Sequence, residues 1–316
     1  MSITISGGIT LNGGGWTIVA PPSSYPTQKA IFGYGENGSS TRLSITNLVS
    51  NTGVVATDTA GVGTVRESLA AAGYGGGKAI FGYGYTSAAG AMSMTNLVSD
   101  TGVVATDTAG VGTARYQLAA AGYGTDKAIF GFGYFPPATA ITNLVSNTGV
   151  VATDTAGVGT AKFRLAAAGY GTDKAIFGYG LSASIELISL TNLVSNTGGV
   201  ATDTTGVGTA RYLLAAAGYG TDKAIFGYGV AGGYQSMTNL VSNTGVVATD
   251  TAGVGTARQN LAAAGYGTDK SIFGYGNSGS VTAISNLVSN TGVVATDTAG
   301  VGTARQNLAA AGYSLT

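Results

Sequence analysis

The chain has no cysteine and no histidine among its 316 residues. That excludes disulfides, thiolate nucleophiles, imidazole bases and the commonest ligands of zinc, copper and haem iron. Charge is scarce too: charged residues make up 9%, and Lys+Arg 14 balance Asp+Glu 14. A formally neutral chain lacks the bulk electrostatics that hold nucleic acid or an anionic membrane surface. No stretch approaches the roughly 18 apolar residues of a membrane span. The start, M-S-I-T-I-S-G-G, has neither the basic nor the apolar region of a secretory signal. These absences remove most familiar enzyme chemistry and leave no cofactor or metal to expect.

What is present is glycine, 54 residues of it, and a repeat. The frame K-A-I-F-G-Y-G, a variable stretch, T-N-L-V-S-N-T-G-V-V-A-T-D-T-A-G-V-G-T-A-R, two variable residues and L-A-A-A-G-Y-G recurs every 47–49 residues. Its lysines are Lys29, Lys78, Lys127, Lys174, Lys223 and Lys270. Self-similarity at such a period marks a solenoid or propeller. Each unit holds four strand-like runs separated by glycine- or asparagine-bearing turns, and none carries a helical period over ten residues. The sequence therefore predicts an all-β fold: a six-bladed β-propeller of four-stranded antiparallel blades. The first unit has no L-A-A-A-G-Y-G before it, and the last strand run, Leu308 to Tyr313, has no K-A-I-F-G-Y-G after it. The C-terminal innermost strand is thus expected to pair with the first blade and close the structure without an open edge. This gives a propeller over 29–316 and an extension over 1–28, where Ser2 to Ser6 alternates and Pro21-Pro22 precedes the first unit. The extension reads either as an attachment segment or as a tail without fixed structure.

An arginine before a small-residue strand, then an apolar strand ending in glycines and a long variable loop, resembles a kelch-type repeat. The glycine pair is here G-Y-G (Gly33–Gly35), and the single tryptophan, Trp16, stands outside the units. The T-N-L-V-S-N-T-G-V-V-A-T-D-T-A-G-V-G-T-A-R frame is similar to repeats of environmental phage virion and tail-fibre proteins. That resemblance implies a virion or extracellular location, with residues 1–28 as a connection to a fibre or particle.

Two windows vary while the frame stays constant. One covers 36–45, 85–94, 134–141, 181–190, 230–237 and 277–284; the other is the pair after the repeated basic residue, from Glu67/Ser68 to Gln306/Asn307. In an antiparallel blade both fall at one end of the strands, so one face is constant and the other is written six times. Most unrepeated charges lie in the windows, including Arg42, Arg164 and Glu186, as do Tyr85, Tyr116, Tyr134, Phe135, Phe163, Tyr212 and Tyr234. Loops on a rigid scaffold are where binding residues concentrate, and tyrosine with serine, glycine and asparagine is a mixture that binding loops favour. Drift in unconstrained loops would instead enrich small polar residues. These ten residues form the candidate site, with aromatic rings to stack on sugars and charges to orient them.

The repeated arginines and A-T-D-T aspartates read as ion pairs that set registry between blades, or alternatively as a charged axial pocket. The G-T-D-K aspartates read as turn residues, since calcium needs several oxygens converging on one site. A six-bladed sialidase is the enzymatic alternative. Its site uses unlike residues on particular blades, whereas these arginines are equivalent copies and no S-x-D-x-G-x-T-W box occurs. The expected function is a non-enzymatic recognition module that binds cell-surface glycan or another host receptor. The alternative is a structural or decorating virion protein that assembles through its constant face and its N-terminal segment, residues 1–28.

Overall fold

A computed structural model of the chain describes residues 28–313, together with the segments Ile9–Asn12 and Gly15–Ile18. Those two segments pair antiparallel, Ile9 opposite Ile18. The alternating run at Ser2–Ser6 and Pro21-Pro22 lie outside the described residues, as does most of the expected attachment segment. Among the described residues there is strand and no helix.

The repeat builds six antiparallel sheets of three strands. In one of them Ala70–Tyr74, from the end of the first unit, pairs with Lys78–Thr86 of the second, which pairs with Gly90–Val98. The small-residue strand buries alternate positions, Ala70, Ala72 and Tyr74. The K-A-I-F strand is covered on both faces: Ala79, Ile80 and Phe81 are fully buried. That is why it reads as a continuous apolar run. Burial of each such isoleucine or phenylalanine contributes about 1.5–3 kcal/mol. The C-terminal strand Ala309–Tyr313 pairs with Lys29–Gly33, Tyr313 opposite Lys29, so the first sheet draws on both ends of the chain.

Each sheet packs on the next, and the last packs on the first. Tyr34 meets Phe81 at 5.2 Å, Tyr83 meets Phe130 at 5.0 Å, and Tyr275 meets Phe32 at 5.1 Å. The glycine after each phenylalanine makes room for this contact: a Cβ on Gly82 would lie 2.7 Å from Phe130 Cζ. Tyr83 itself is left-handed at φ 64°, which costs a tyrosine roughly 1–2 kcal/mol. The bulge between Gly82 and Gly84 places it so. Its ring then packs across the interface and its hydroxyl donates to Val111 O at 3.1 Å.

The fourth run, G-V-V-A-T-D-T, does not form a regular strand, which corrects the four-stranded expectation. In the first unit it touches the third strand through isolated bridges, Val49 to Val55 and Thr46 to Thr59. Three steps on one side face four on the other, so one residue is extra, as in a bulge. The distortion has a cause. Asp58 turns its carboxylate inward to accept from Asn47 Nδ2 at 2.9 Å and from the Thr303 amide and hydroxyl at 3.0 and 2.6 Å. Asp107, Asp154, Asp203, Asp250 and Asp297 repeat the arrangement.

Candidate functional site

The repeated charges are consumed by the scaffold. Arg66 is fully buried and donates from Nε to Tyr83 O (2.9 Å), from Nη1 to Thr64 O (3.2 Å) and from Nη2 to Asn96 Oδ1 (2.6 Å). Its guanidinium lies over the Tyr34 ring of the preceding sheet, 4.3 Å from the centroid. Arg115, Arg211, Arg258 and Arg305 do the same. Each guanidinium nitrogen has a fixed acceptor and the side chain is fully buried, so these arginines are tied to the scaffold. At the interface of the third and fourth units both partners change together: Lys162 stands over Phe132 at 4.8 Å and donates to Asn192 Oδ1 at 2.5 Å. Burial pushes the Lys162 ammonium down to about 8, with Asp203 opposing the shift.

The repeated turns meet at one end of the sheets. A cavity of about 280 Å³ there is bordered by Lys78, Lys127, Lys174, Lys223 and Lys270. Four of these pair with the aspartate just before them at 2.9–3.1 Å. Those hydrogen bonds hold Asp126, Asp173, Asp222 and Asp269 below the usual carboxylate range. The G-T-D-K aspartates are bound to their own lysines.

At the opposite end the two variable windows come together. The first residue of each short window pairs with the first of the next long one: Gln306 with Glu36, Glu67 with Tyr85, Tyr116 with Tyr134, Phe163 with Leu181, Tyr212 with Val230 and Gln259 with Asn277. The second residues form a cycle of backbone hydrogen bonds. Gln117 donates to Ser68, Arg164 to Gln117, Leu213 to Arg164, Asn260 to Leu213, Asn307 to Asn260 and Ser68 to Asn307, all at 2.8–3.0 Å. All six residues have φ near 55°. They rim a small opening, about 80 Å³, floored by the leucines that follow them.

Seven of the ten predicted residues meet in one line. Arg42 lies over Tyr85 at 5.1 Å, Tyr85 meets Tyr116 at 5.2 Å, Tyr116 meets Tyr134 at 5.6 Å, and Tyr134 meets Phe163 at 4.9 Å. Arg164 then lies 5.8 Å from the Phe163 ring and 5.7 Å from the Tyr212 ring. The arc crosses four successive units, and no stretch of sequence contains it. Phe163 is buried with Ala138 and Leu181, so its ring supports Tyr134 from beneath. Desolvation raises the Tyr116 hydroxyl above its ordinary value, against the lowering pull of Arg164. The other three residues stand apart: Phe135 and Tyr234 are exposed at their loop tips, and Glu186 is exposed beside Ile185.

A polar cluster beside the arc was not picked out from the sequence as a site. Arg42 Nη2 donates to Glu67 Oε1 at 2.5 Å, and Asn307 Nδ2 bridges Glu67 Oε2 (2.9 Å) and Glu36 Oε1 (3.3 Å). Gln306 Nε2 also donates to Glu36 at 2.8 Å. Burial first, and Glu67 second, push the Glu36 carboxyl up. The signal was legible only in outline: both glutamates are unrepeated, but they sit 31 positions apart, in the long and the short window of the first unit. The sequence matches no protein-family model and no curated protein.

Proposed function

We propose that the six sheets are the blades of a closed, kelch-like β-propeller, and that its variable end is a non-enzymatic recognition surface for cell-surface glycan. By this reading the protein is a phage-type receptor-binding module, on a virion or outside the cell. The cyclic contacts support the architecture: each sheet packs on the next, the last on the first, and the central backbone cycle returns to its start. One observation carries the function. The unrepeated aromatic and cationic side chains of four units converge into a single arc, Arg42–Tyr85–Tyr116–Tyr134–Phe163–Arg164–Tyr212. Loops that only drift would have no reason to assemble one surface from residues up to 170 positions apart.

The mechanism is preorganised binding. Both windows are fixed by backbone bridges, so contact with a ligand orders little that is not already ordered. Half-buried tyrosines present a flat apolar face with a polar edge, which suits a sugar ring. The test is a glycan array probed with the native chain and with a variant carrying the 277–284 sequence in all six long windows. Binding by the native chain alone is expected, and equal binding by both would sink the reading. Tyr134→Ala should weaken native binding roughly tenfold or more, as an anchor residue does.

A second reading, assembly into a particle as a decorating protein, has its own support. Val54, Val103, Val150, Val246 and Val293 are each about two-thirds exposed, beside the repeated turns. Apolar residues set out this regularly suit a packing face. Valine-to-threonine changes at all five should then abolish assembly and leave glycan binding intact.

A further inference from the structure

We propose that the glycan bound by the arc is acidic, and that Arg164 holds its anionic group. This rests on the glycan-binding reading above and adds the ligand's charge and the residue that selects it. The two arginines of the arc differ in what they already hold. Arg42 is neutralised by Glu67 at 2.5 Å. Arg164 has no ion pair among the described residues, while the buried Nε of each of the two arginines lacks an acceptor.

The backbone of Arg164 is held in place on both sides. Its amide donates to Gln117 O at 2.9 Å and its carbonyl accepts from Leu213 N at 3.0 Å, within the central cycle. Its guanidinium sits between the Phe163 and Tyr212 rings. An arginine's planar fork matches a carboxylate or sulfate oxyanion, and at the rim of the opening this one has no acidic partner to occupy it. Its neighbour in the cycle, Gln117, carries a neutral amide that can bond a sugar hydroxyl beside that oxyanion. In the other units this slot holds Ser68, Gln117, Leu213, Asn260 and Asn307, so only one of the six positions is cationic. A single unpaired cation at one end of an aromatic line gives the ligand a direction: neutral rings lie along Tyr85–Tyr134 and the acid reaches Arg164.

The test uses the whole chain on an array in which sialylated, uronate-containing and sulfated glycans each stand beside their neutral counterparts. The native protein is expected to prefer an acidic member by tenfold or more, and the carboxylated and sulfated arms distinguish which oxyanion it takes. Arg164→Gln should weaken acidic binding at least tenfold more than it weakens neutral binding, with Tm unchanged. The fold accepts glutamine in this slot, because Gln117 occupies the same one at φ 54°. Arg164→Lys, which keeps charge without the fork, should restore part of the preference. Neutral and acidic glycans bound alike would overturn this inference and leave the glycan reading standing. So would Arg164→Gln weakening both equally, since Arg164 would then only prop the rings. No glycan bound at all would overturn both.

Discussion

Arg115 and Arg164 stand one unit apart, each near aromatic rings, yet they do opposite things. Arg115 is fully buried and gives its donors to Phe132 O, Thr113 O and Asn143 Oδ1 at 2.7–3.1 Å. Arg164 is half-buried, holds no partner through its side chain among the described residues and lies near two rings at the rim of an opening. The same guanidinium is a rivet in one place and a free hand in the other. What separates them is whether their acceptors come from the repeated frame. Residue type and a nearby aromatic ring predict neither role; the state of the hydrogen bonds does.

That contrast fails if the two substitutions cost the same. Arg115→Met should destabilise the protein by about 2–4 kcal/mol, because Asn143 and Phe132 O lose their donors inside the interface. Arg164→Gln should cost under about 0.5 kcal/mol, as surface changes do. Chemical denaturation of both variants measures the difference. A large loss for Arg164→Gln would make it part of the scaffold.

Lys162 sharpens the comparison, since it occupies the rivet position with a group that can shed its charge. In the unfolded chain its ammonium keeps its proton to about 10.5, whereas in the folded protein it releases it near 8. Between those values the unfolded state binds more protons, so stability rises with pH. Below about 8 the buried charge is paid for in full. The expected gain from pH 8 towards 10 is roughly 1–3 kcal/mol; above that, ionisation of the buried tyrosines opposes it, because burial raises their hydroxyls. The double change Phe132→Tyr with Lys162→Arg copies the other five interfaces and should flatten the profile. Melting curves from pH 7 to 10 decide this.

The smallest effect is at the variable end. Glu36 has its carboxyl raised by burial and by Glu67. A raised carboxyl contributes stability that is present below its unfolded value, near 4.5, and lost as pH rises through the folded one. Glu36→Gln should remove that loss, by less than about 1 kcal/mol since the group is partly solvated. A loss of stability in Glu36→Gln above pH 6 would mean that the cluster depends on the charge.

Much of this was legible in the chain. The strands A-A-A-G-Y, K-A-I-F-G and T-N-L-V fall where the repeat put them, because local alternation and flanking glycines set them. The A-T-D-T segment was misread as a strand, because its aspartate answers to a threonine on the preceding linker, 41 to 43 residues away in most units. The windows were legible as a set but not as an arc. Nothing local says that Tyr134 touches Phe163 while Tyr234 stands alone.

The sequence by itself determined the period, the strand set and the division between constant and variable positions, since each copy of the frame meets the same neighbours and tolerates the same residues. Only the tertiary structure decided which charges are spent and which are free. A guanidinium's role depends on acceptors such as Asn143 and Phe132 O, and those arrive from 17 to 28 residues away when one sheet packs against the next.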